Sequence, residues 1–175
     1  MADINFPRSQ LKGAGSTDTA AEPTWDIIEL LFFAYRDFVT EPDSVLGKLG
    51  FGRAHHRVLH FVNRNPGIKV ADLLSILKIT KQSLGRVLKQ LIDEGYVLQK
   101  EGAEDRRQRL LYVSPKGEAL ALKLADLQTR RVARALGALG PGAHEAARRF
   151  LIAMLDSEGR DDVLRLITRA GNAPT

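Results

Sequence analysis

Large apolar residues recur every three or four positions between residues 25 and 38, which predicts an amphipathic first helix. The residues at this spacing are Trp25, Ile28, Leu31, Phe32, Tyr35 and Phe38. Thr24 stands where a cap is expected, and Glu41-Pro42 predicts that the helix ends before this pair, because the residue preceding proline disfavours α geometry. Ile27, Leu30 and Phe33 widen the apolar face. This width predicts burial against more than one surface, one of them a second copy of the chain.

Three further helices are predicted from the same kind of pattern. The second runs from about Arg53 to Asn63 and is stopped by Asn65-Pro66-Gly67, and the third is short, from about Val70 to Leu77. In the fourth, Thr80 is placed as a cap. The apolar residues that follow it at helical spacing are Leu84, Val87, Leu88, Leu91 and Ile92. Two helices separated by a tight turn predict a helix-turn-helix.

A β-hairpin is predicted after the fourth helix. Gly95 is placed to end that helix, and the β-prone runs 96–98 and 110–113 flank a polar loop that contains Gly102. Ser114 then caps, and Pro115 opens, a long helix that reaches about Leu136. A further helix is predicted around Phe150, Leu151, Met154 and Leu155. The fold class is therefore mainly α with a small β-hairpin wing, a winged helix-turn-helix flanked by amino- and carboxy-terminal helices.

The positive charge of the chain is concentrated in one segment. Residues 51–116 hold 13 Lys and Arg against 6 Asp and Glu, whereas the rest of the 175 residues holds 13 against 15. A segment of this kind is typical of a surface that binds a polyanion, although many charge runs are only solvated faces. The chain has no cysteine. This excludes disulfides, thiolate metal sites and thiol-based redox sensing, and it favours a cytoplasmic protein.

Membrane insertion and export are not predicted. The longest apolar run, near Ile27 to Ala34, is interrupted by Glu29 and is much shorter than the roughly 20 residues that cross a bilayer. The first residues carry neither a basic stretch nor the apolar core of a signal peptide. A chain of this length is expected to form one domain with a sizeable core.

The polar residues of the fourth helix point away from its leucines and have the types that contact duplex DNA. They are Thr80, Lys81, Gln82, Ser83, Arg86 and Lys89. Gln82 can pair bidentately with adenine and Arg86 with guanine, while the two lysines and Ser83 suit phosphates. Taken alone, the same pattern also fits an ordinary amphipathic surface helix.

The predicted hairpin tip reads Glu104-Asp105-Arg106-Arg107-Gln108-Arg109. Its three arginines repel one another, and phosphates or a narrow minor groove would supply the compensating negative charge. Asp105 can hold one guanidinium through a bidentate pair. A helix that fits the major groove, followed by an arginine-tipped hairpin that fits the minor groove, predicts a protein that reads double-stranded DNA.

These segments resemble the multiple antibiotic resistance regulator (MarR) family of bacterial transcription factors. The resemblance rests on Asp105-Arg106-Arg107 followed by residues 110–117, on the helix Thr80–Leu91 and on Glu94-Gly95-Tyr96-Val97, and it covers about residues 25–165. It implies that Arg107 enters the minor groove and that Asp105 braces it. It also implies a homodimer whose terminal helices interleave, bound to a near-palindromic site with half-sites about 10 base pairs apart.

The residue patterns and the resemblance together predict four parts of the chain. Residues 1–22 are expected to be a flexible tail, 23–50 an N-terminal dimerisation helix and linker, 51–116 the winged helix-turn-helix, and 117–170 the C-terminal dimerisation helices. The predicted function is a sequence-specific regulator of transcription, and a repressor in particular. The alternative is a noncatalytic winged-helix module for protein assembly or nonspecific nucleic-acid binding.

An effector pocket is a further implication of the resemblance, because similar proteins hold small aromatic or phenolic anions between their first, second and fifth helices. Arg36 is the candidate for holding an anion in this chain. The other candidate lining residues are Trp25, Phe32, Phe33, Tyr35, His55 and His56. Aromatic residues at helical spacing are equally the pattern of a plain apolar core.

Metal and catalytic sites are not predicted. His56 and His60 lie one helical turn apart, with His55 adjacent, which is a spacing that can hold a metal. The basic residues around them and the lack of cysteine and of a Glu-x-x-His partner oppose a bound cation, so no metal or other cofactor is expected. The sequence has no Gly-rich phosphate loop, no Gly-x-Ser-x-Gly elbow and no convincing carboxylate pair, so no enzymatic activity is expected.

Overall fold

A computed structural model describes residues 22–102, 105 and 107–171. Within these ranges the chain forms seven helices and three strands. In chain order they are α1 Trp25–Gly47, α2 Arg53–Arg64, β1 Ile68–Lys69, α3 Val70–Leu77, α4 Lys81–Asp93, β2 Val97–Glu101, β3 Arg109–Val113, α5 Pro115–Leu139, α6 Ala143–Ala153 and α7 Arg160–Gly171. The predicted fold class, a mainly helical winged helix-turn-helix, is confirmed. The predicted tail lies outside the described residues except for its last one.

The end of α1 was predicted wrongly. The helix passes through Pro42, which is buried, and continues to Gly47. Proline lacks the N–H that would bond to the carbonyl of Phe38, but Val39, Pro42 and Leu46 are buried together on the inner face of α1. Packing therefore outweighs the local preference against helix. Thr24 precedes the helix as predicted, but its side chain makes no capping hydrogen bond.

The helix-turn-helix turns at Lys78, whose backbone is left-handed, with a φ of 51°. Arg57 of α2 donates from Nη2 to the carbonyl oxygen of Leu77 at 2.9 Å, so the end of α3 is tied to α2. Thr80 then caps α4 as predicted, because its Oγ1 accepts from the Ser83 N–H at 3.1 Å. These contacts fix the direction in which α4 leaves the turn.

The wing is one strand larger than predicted. The sheet is antiparallel with the order β1-β3-β2. β1 has two residues, Ile68 and Lys69, and Ile68 pairs with Leu111. A strand this short has no periodicity of its own to detect. It forms because Gly67, with a φ of 80°, turns the chain and its N–H donates to the Leu111 carbonyl at 2.8 Å.

The core lies between α2, α3, α4, the sheet and the first half of α5. Its fully buried side chains include Leu59, Leu73, Leu84, Leu91, Leu111 and Leu124. By contrast, no residue of α6 is buried, and the first half of α1 exposes most of its large apolar side chains. The helix-turn-helix and the wing are thus packed within one chain, whereas the helices at either end leave apolar surface uncovered.

The C-terminal end also differs from the prediction. α5 extends to Leu139, and the single further helix that was predicted is two helices. Met154 is the C-cap of α6, and Leu155 lies in the link to α7 rather than inside a helix. Gly159, with a φ of 87°, redirects the chain before α7. In the part of the chain that the structure describes, no helix is long and apolar enough to span a membrane.

Candidate nucleic-acid interface

The outward face of α4 carries exposed polar residues opposite its buried leucines. Gln82, Arg86 and Lys89 are exposed, whereas Leu84 and Leu91 are almost completely buried. The helix is therefore held by one face and free to enter a groove with the other. Lys89 forms an ion pair with Asp93 one turn later. Because both side chains are exposed, water and salt weaken this pair, and Lys89 stays available to a phosphate.

The start of α4 is built from Thr80 and Ser83. Besides accepting from the Ser83 N–H, Thr80 Oγ1 donates to Ser83 Oγ at 2.9 Å. The remaining N–H groups of the first turn, including that of Gln82, point out of the helix end. Such an end attracts anions. Both hydroxyls thus shape the helix start, and Ser83 can share its proton with a phosphate.

The wing tip is organised by backbone contacts. The Arg107 N–H donates to Asp105 Oδ1 at 2.9 Å, and the Gln108 N–H donates to the Asp105 carbonyl oxygen at 3.0 Å. Asp105 therefore holds the backbone of the tip at Arg107, a contact that differs from the guanidinium pair expected from the sequence. Arg106, the third predicted arginine contact, lies outside the described residues.

Arg109 is held across the hairpin. Its Nη1 donates to Glu101 Oε1 at 3.0 Å, and the two residues are partners in the register of β2 and β3. Arg107 lies in the turn of the hairpin and is exposed. The two arginines thus differ in their charge partners, since the positive charge of Arg109 is partly neutralised by the Glu101 carboxylate. Arg107 remains the predicted contact to the minor groove.

A groove of about 820 Å³ separates α4 from the wing. Its charged lining residues are Lys69, Lys81, Lys89, Asp93, Arg107 and Arg109. Five of these six are cations, so the groove attracts a polyanion. Sequence reasoning missed Lys69, because only the pairing of β1 with β3 brings this residue to the groove.

The predicted effector-pocket residues are not all brought together. Trp25, Phe32, Phe33 and Tyr35 lie on the exposed side of α1. Arg36 lies 4.9 Å from the centre of the Phe33 ring and pairs with Asp37, and this guanidinium lowers the pKa of the Asp37 carboxyl. His55 lies elsewhere, with its Nε2 2.9 Å from Gln90 Oε1 of α4.

A contact between α1 and α2 lies next to His56. Arg53 donates from Nε to Asp43 Oδ2 at 2.8 Å and lies 5.7 Å from the centre of the Tyr35 ring. Arg53 was not among the predicted pocket residues, although it is the second cation beside the α1 aromatics. In the described part of the chain no three His, Asp or Glu residues gather as a metal site.

Burial lowers the pKa of His56, and the positive charge of a protonated His60 lowers it further, while Asp43 acts in the opposite direction. Burial also lowers the pKa of His60, with a smaller contribution from Arg64. Both rings are therefore harder to protonate in the folded chain than at the ordinary pKa of 6.5. Their contribution to stability is fully present above pH 6.5 and is lost as the pH falls below this value.

We therefore expect the free energy of unfolding to decrease as the pH is lowered from 7.5 to 5, because His56 and His60 bind protons more readily in the unfolded chain than in the folded one. Denaturant titrations at several pH values measure this slope. His56→Gln and His60→Gln should each make this slope shallower. An unchanged slope in the double variant His56→Gln/His60→Gln would contradict the assignment.

The chain is similar in sequence to known regulators of transcription. Residues 49–108 match the profile of the MarR family. Over 129 residues the chain is 47% identical to the HTH-type transcriptional regulator PetP of Rhodobacter capsulatus, and the alignment covers 74% of this chain and 78% of that protein. This similarity is longer than the helix-turn-helix and wing together, so it extends beyond them.

Solved structures share the fold at lower identity. A MarR protein from Peptoclostridium difficile superposes with a TM-score of 0.65 and 18% identity over 87% of this chain and 99% of its own. The structure of NadR in complex with 4-hydroxyphenylacetate has a TM-score of 0.63 and 19% identity over 81% of this chain and 100% of its own. At such identities the likeness is one of fold.

Proposed function

The chain belongs to the MarR family of DNA-binding transcriptional regulators, and we propose that it acts as a homodimeric repressor on a pseudo-palindromic operator. One observation carries the proposal: Lys81 and Lys89 of α4 and Arg107 of the wing tip line the same cationic groove. When DNA is bound, α4 would lie in the major groove and the wing over the neighbouring minor groove.

Within each half-site the residues take different roles. Gln82 and Arg86 are exposed on α4 and would contact base edges. Phosphate contacts would position the helix without selecting a sequence. We assign these to Lys69, Lys81, Ser83 and Lys89, with Thr80 acting through the helix start that it caps. Arg107 would enter the minor groove from the turn that Asp105 holds.

The dimer is inferred from the apolar surface that a single chain leaves uncovered. Phe32 is 70% exposed on α1, and Leu151 is 58% exposed on α6. α5, α6 and α7 enclose an apolar groove of about 370 Å³. Surfaces of this kind seldom stay bare on a soluble protein. We propose that the partner's α1 covers this groove, an exchange that a twofold axis satisfies for both chains at once.

Regulation by a small aromatic anion is the finer part of the proposal. NadR binds 4-hydroxyphenylacetate in its solved complex. In this chain Arg36 would supply the positive charge. Apolar contacts would come from Trp25, Phe32, Phe33, Tyr35 and His56. His55 is not included, because its side chain is hydrogen-bonded to α4. Release of the operator upon addition of 4-hydroxyphenylacetate, with benzyl alcohol as the uncharged control, would support this site. Unchanged DNA binding would exclude 4-hydroxyphenylacetate as an effector.

Selection from a randomised duplex library tests the function as a whole. We expect an inverted repeat with half-site centres about 10 base pairs apart. A second selection with Gln82→Ala should relax one position in each half-site by about 1–3 kcal/mol, whereas Gln128→Ala on α5 should return the parental sequence. Enrichment no better than random would instead favour the assembly or nonspecific-binding alternative.

Arg107→Ala is expected to weaken binding to the selected duplex by about tenfold to a hundredfold with little change in the free energy of unfolding, because the side chain is exposed. The dependence on salt should also become shallower. Arg130→Ala, which removes an exposed arginine of α5, is the matched control for charge. Parental affinity of Arg107→Ala at every salt concentration would refute the minor-groove role.

A further inference from the structure

We infer that His55 is a positioning residue for the DNA-reading helix: its imidazole holds α4 through Gln90 and thereby supports sequence-specific binding more than nonspecific binding. The inference rests on the proposed function, since it assigns α4 to the operator. His55 belongs to α2, yet its Nε2 lies 2.9 Å from Gln90 Oε1, 35 positions away in the chain. The bond thus joins two helices that meet only in the folded structure.

The protonation state of the ring follows from its neighbours. The Gly52 N–H donates to His55 Nδ1 at 3.1 Å, so Nδ1 is the unprotonated nitrogen. The proton of the neutral imidazole then resides on Nε2 and is donated to Gln90 Oε1. Each ring nitrogen therefore has one partner, and the two bonds have a fixed direction.

The plane of the ring is fixed as well. Phe51 stacks on His55 with ring centres 4.8 Å apart and planes inclined by 12°. Phe51 is buried and meets the Tyr96 ring edge-on at 5.1 Å. Tyr96 stands at the start of the wing hairpin. The imidazole therefore stacks on a ring that the beginning of the wing itself holds in place, which restricts its rotation.

On the side of α4, Gln90 is also held at both ends of its amide. Its Nε2 donates to Glu94 Oε1 at 2.9 Å while its Oε1 accepts from His55. Arg86 lies one turn before Gln90 on the same flank, and both residues line a shallow groove with His55. A rotation of α4 that breaks the bond to His55 would displace Arg86, which is assigned to a base edge. A phosphate contact tolerates such a displacement better than a bidentate base contact does.

Two substitutions separate the bonds of His55. The Oδ1 of asparagine stands at the same number of bonds from the backbone as Nδ1, so His55→Asn keeps the acceptor for Gly52 and loses the link to α4. The Nε2 of glutamine corresponds in the same way to the imidazole Nε2, so His55→Gln keeps the link. Gln90→Ala removes, on α4, the side-chain oxygen that accepts from His55. His60→Asn is the matched control on the same helix.

The experiment measures affinity for the duplex selected from the randomised library and for a random-sequence duplex. We expect His55→Asn to weaken binding to the selected duplex by about threefold to tenfold and to leave the random duplex unchanged, in proportion to one lost hydrogen bond. His55→Gln should restore the ratio of the two affinities. Gln90→Ala should add no further loss in the His55→Asn background, because the two residues act through one bond.

Three outcomes would overturn the inference. They are an unchanged ratio in both His55→Asn and Gln90→Ala, equal losses in His55→Asn and His55→Gln, and losses that add in the double variant. Denaturant unfolding of each variant separates a loss of folding, which would lower binding to both duplexes, from a loss of alignment. A parent protein without preference for any duplex refutes the proposed function itself, whereas a selective parent with equally selective variants refutes only the role of His55.

Discussion

Gly117→Ala is expected to destabilise the protein by on the order of 3 kcal/mol or more, because the added methyl group has no room. A Cβ at this position would lie 2.0 Å from the carbonyl oxygen of Tyr96 and 2.9 Å from its carbonyl carbon. Both are backbone atoms, so a side-chain rotation cannot relieve the overlap. The first turn of α5 must move away from the start of the wing hairpin.

Such a movement would break a buried set of hydrogen bonds. Ser114 is 8% exposed, and its Oγ donates to the Gly95 carbonyl at 2.6 Å while it accepts from the Gly117 N–H at 3.0 Å. The Ser114 N–H donates to the same Tyr96 carbonyl that the methyl group would displace. Buried polar groups that lose their partners are costly. The methyl group therefore disrupts packing and hydrogen bonding at the junction of α4, the wing and α5.

Denaturant or thermal unfolding measures this effect, and Gly137→Ala is its matched control in the same helix. A Cβ at Gly137 would meet nothing within 4 Å. That substitution should therefore stabilise the protein, by roughly 0.5–1 kcal/mol, since alanine favours helix over glycine. If both substitutions changed the free energy of unfolding by the same amount in the same direction, the close contact between α5 and the Tyr96 carbonyl would be contradicted.

Phe32→Asp and Leu151→Asp are each expected to convert the protein to a folded monomer and to weaken operator binding by about a hundredfold or more. Both side chains are exposed in the single chain, so the substitutions leave its own core intact. In the proposed dimer each would bury an unpaired carboxylate against apolar side chains, which is strongly unfavourable. A monomer binds one half-site only and loses the advantage of two linked sites.

Sedimentation at micromolar concentration and titration of the selected duplex give the two results from the same samples. Leu98→Asp is the control for the oligomeric state, because Leu98 is an equally apolar side chain, 44% exposed on β2 in the wing. We expect that variant to stay dimeric. A dimer that persists in both Phe32→Asp and Leu151→Asp would place the contact between chains on another surface.

Local signals predicted the elements near the DNA-reading surface. The cap at Thr80, the end of α4 at Gly95 and the start of α5 at Ser114-Pro115 were all predicted correctly. Each depends on residues within one turn of the chain, where backbone preference and side-chain capping act directly. The polar residues of α4 could be named for the same reason, because helical periodicity alone separates them from the buried leucines.

The errors lie where packing overrules local preference or where a partner is distant. The end of α1 was predicted before Glu41-Pro42 from a local rule, but Pro42 is buried on the core side and the helix extends to Gly47. β1 escaped prediction because its two residues become a strand only beside β3. Lys69 was missed as a groove residue for the same reason.

The sequence by itself determined the type of protein, since residue types, their helical spacing and the wing motif are properties of contiguous segments. Only the tertiary structure decided how α4 is held. It brings His55 to Gln90 across 35 positions and seats Gly117 against the Tyr96 carbonyl. These contacts join residues that are distant in the chain, so they arise from the packing of whole helices against one another, and no local preference encodes them.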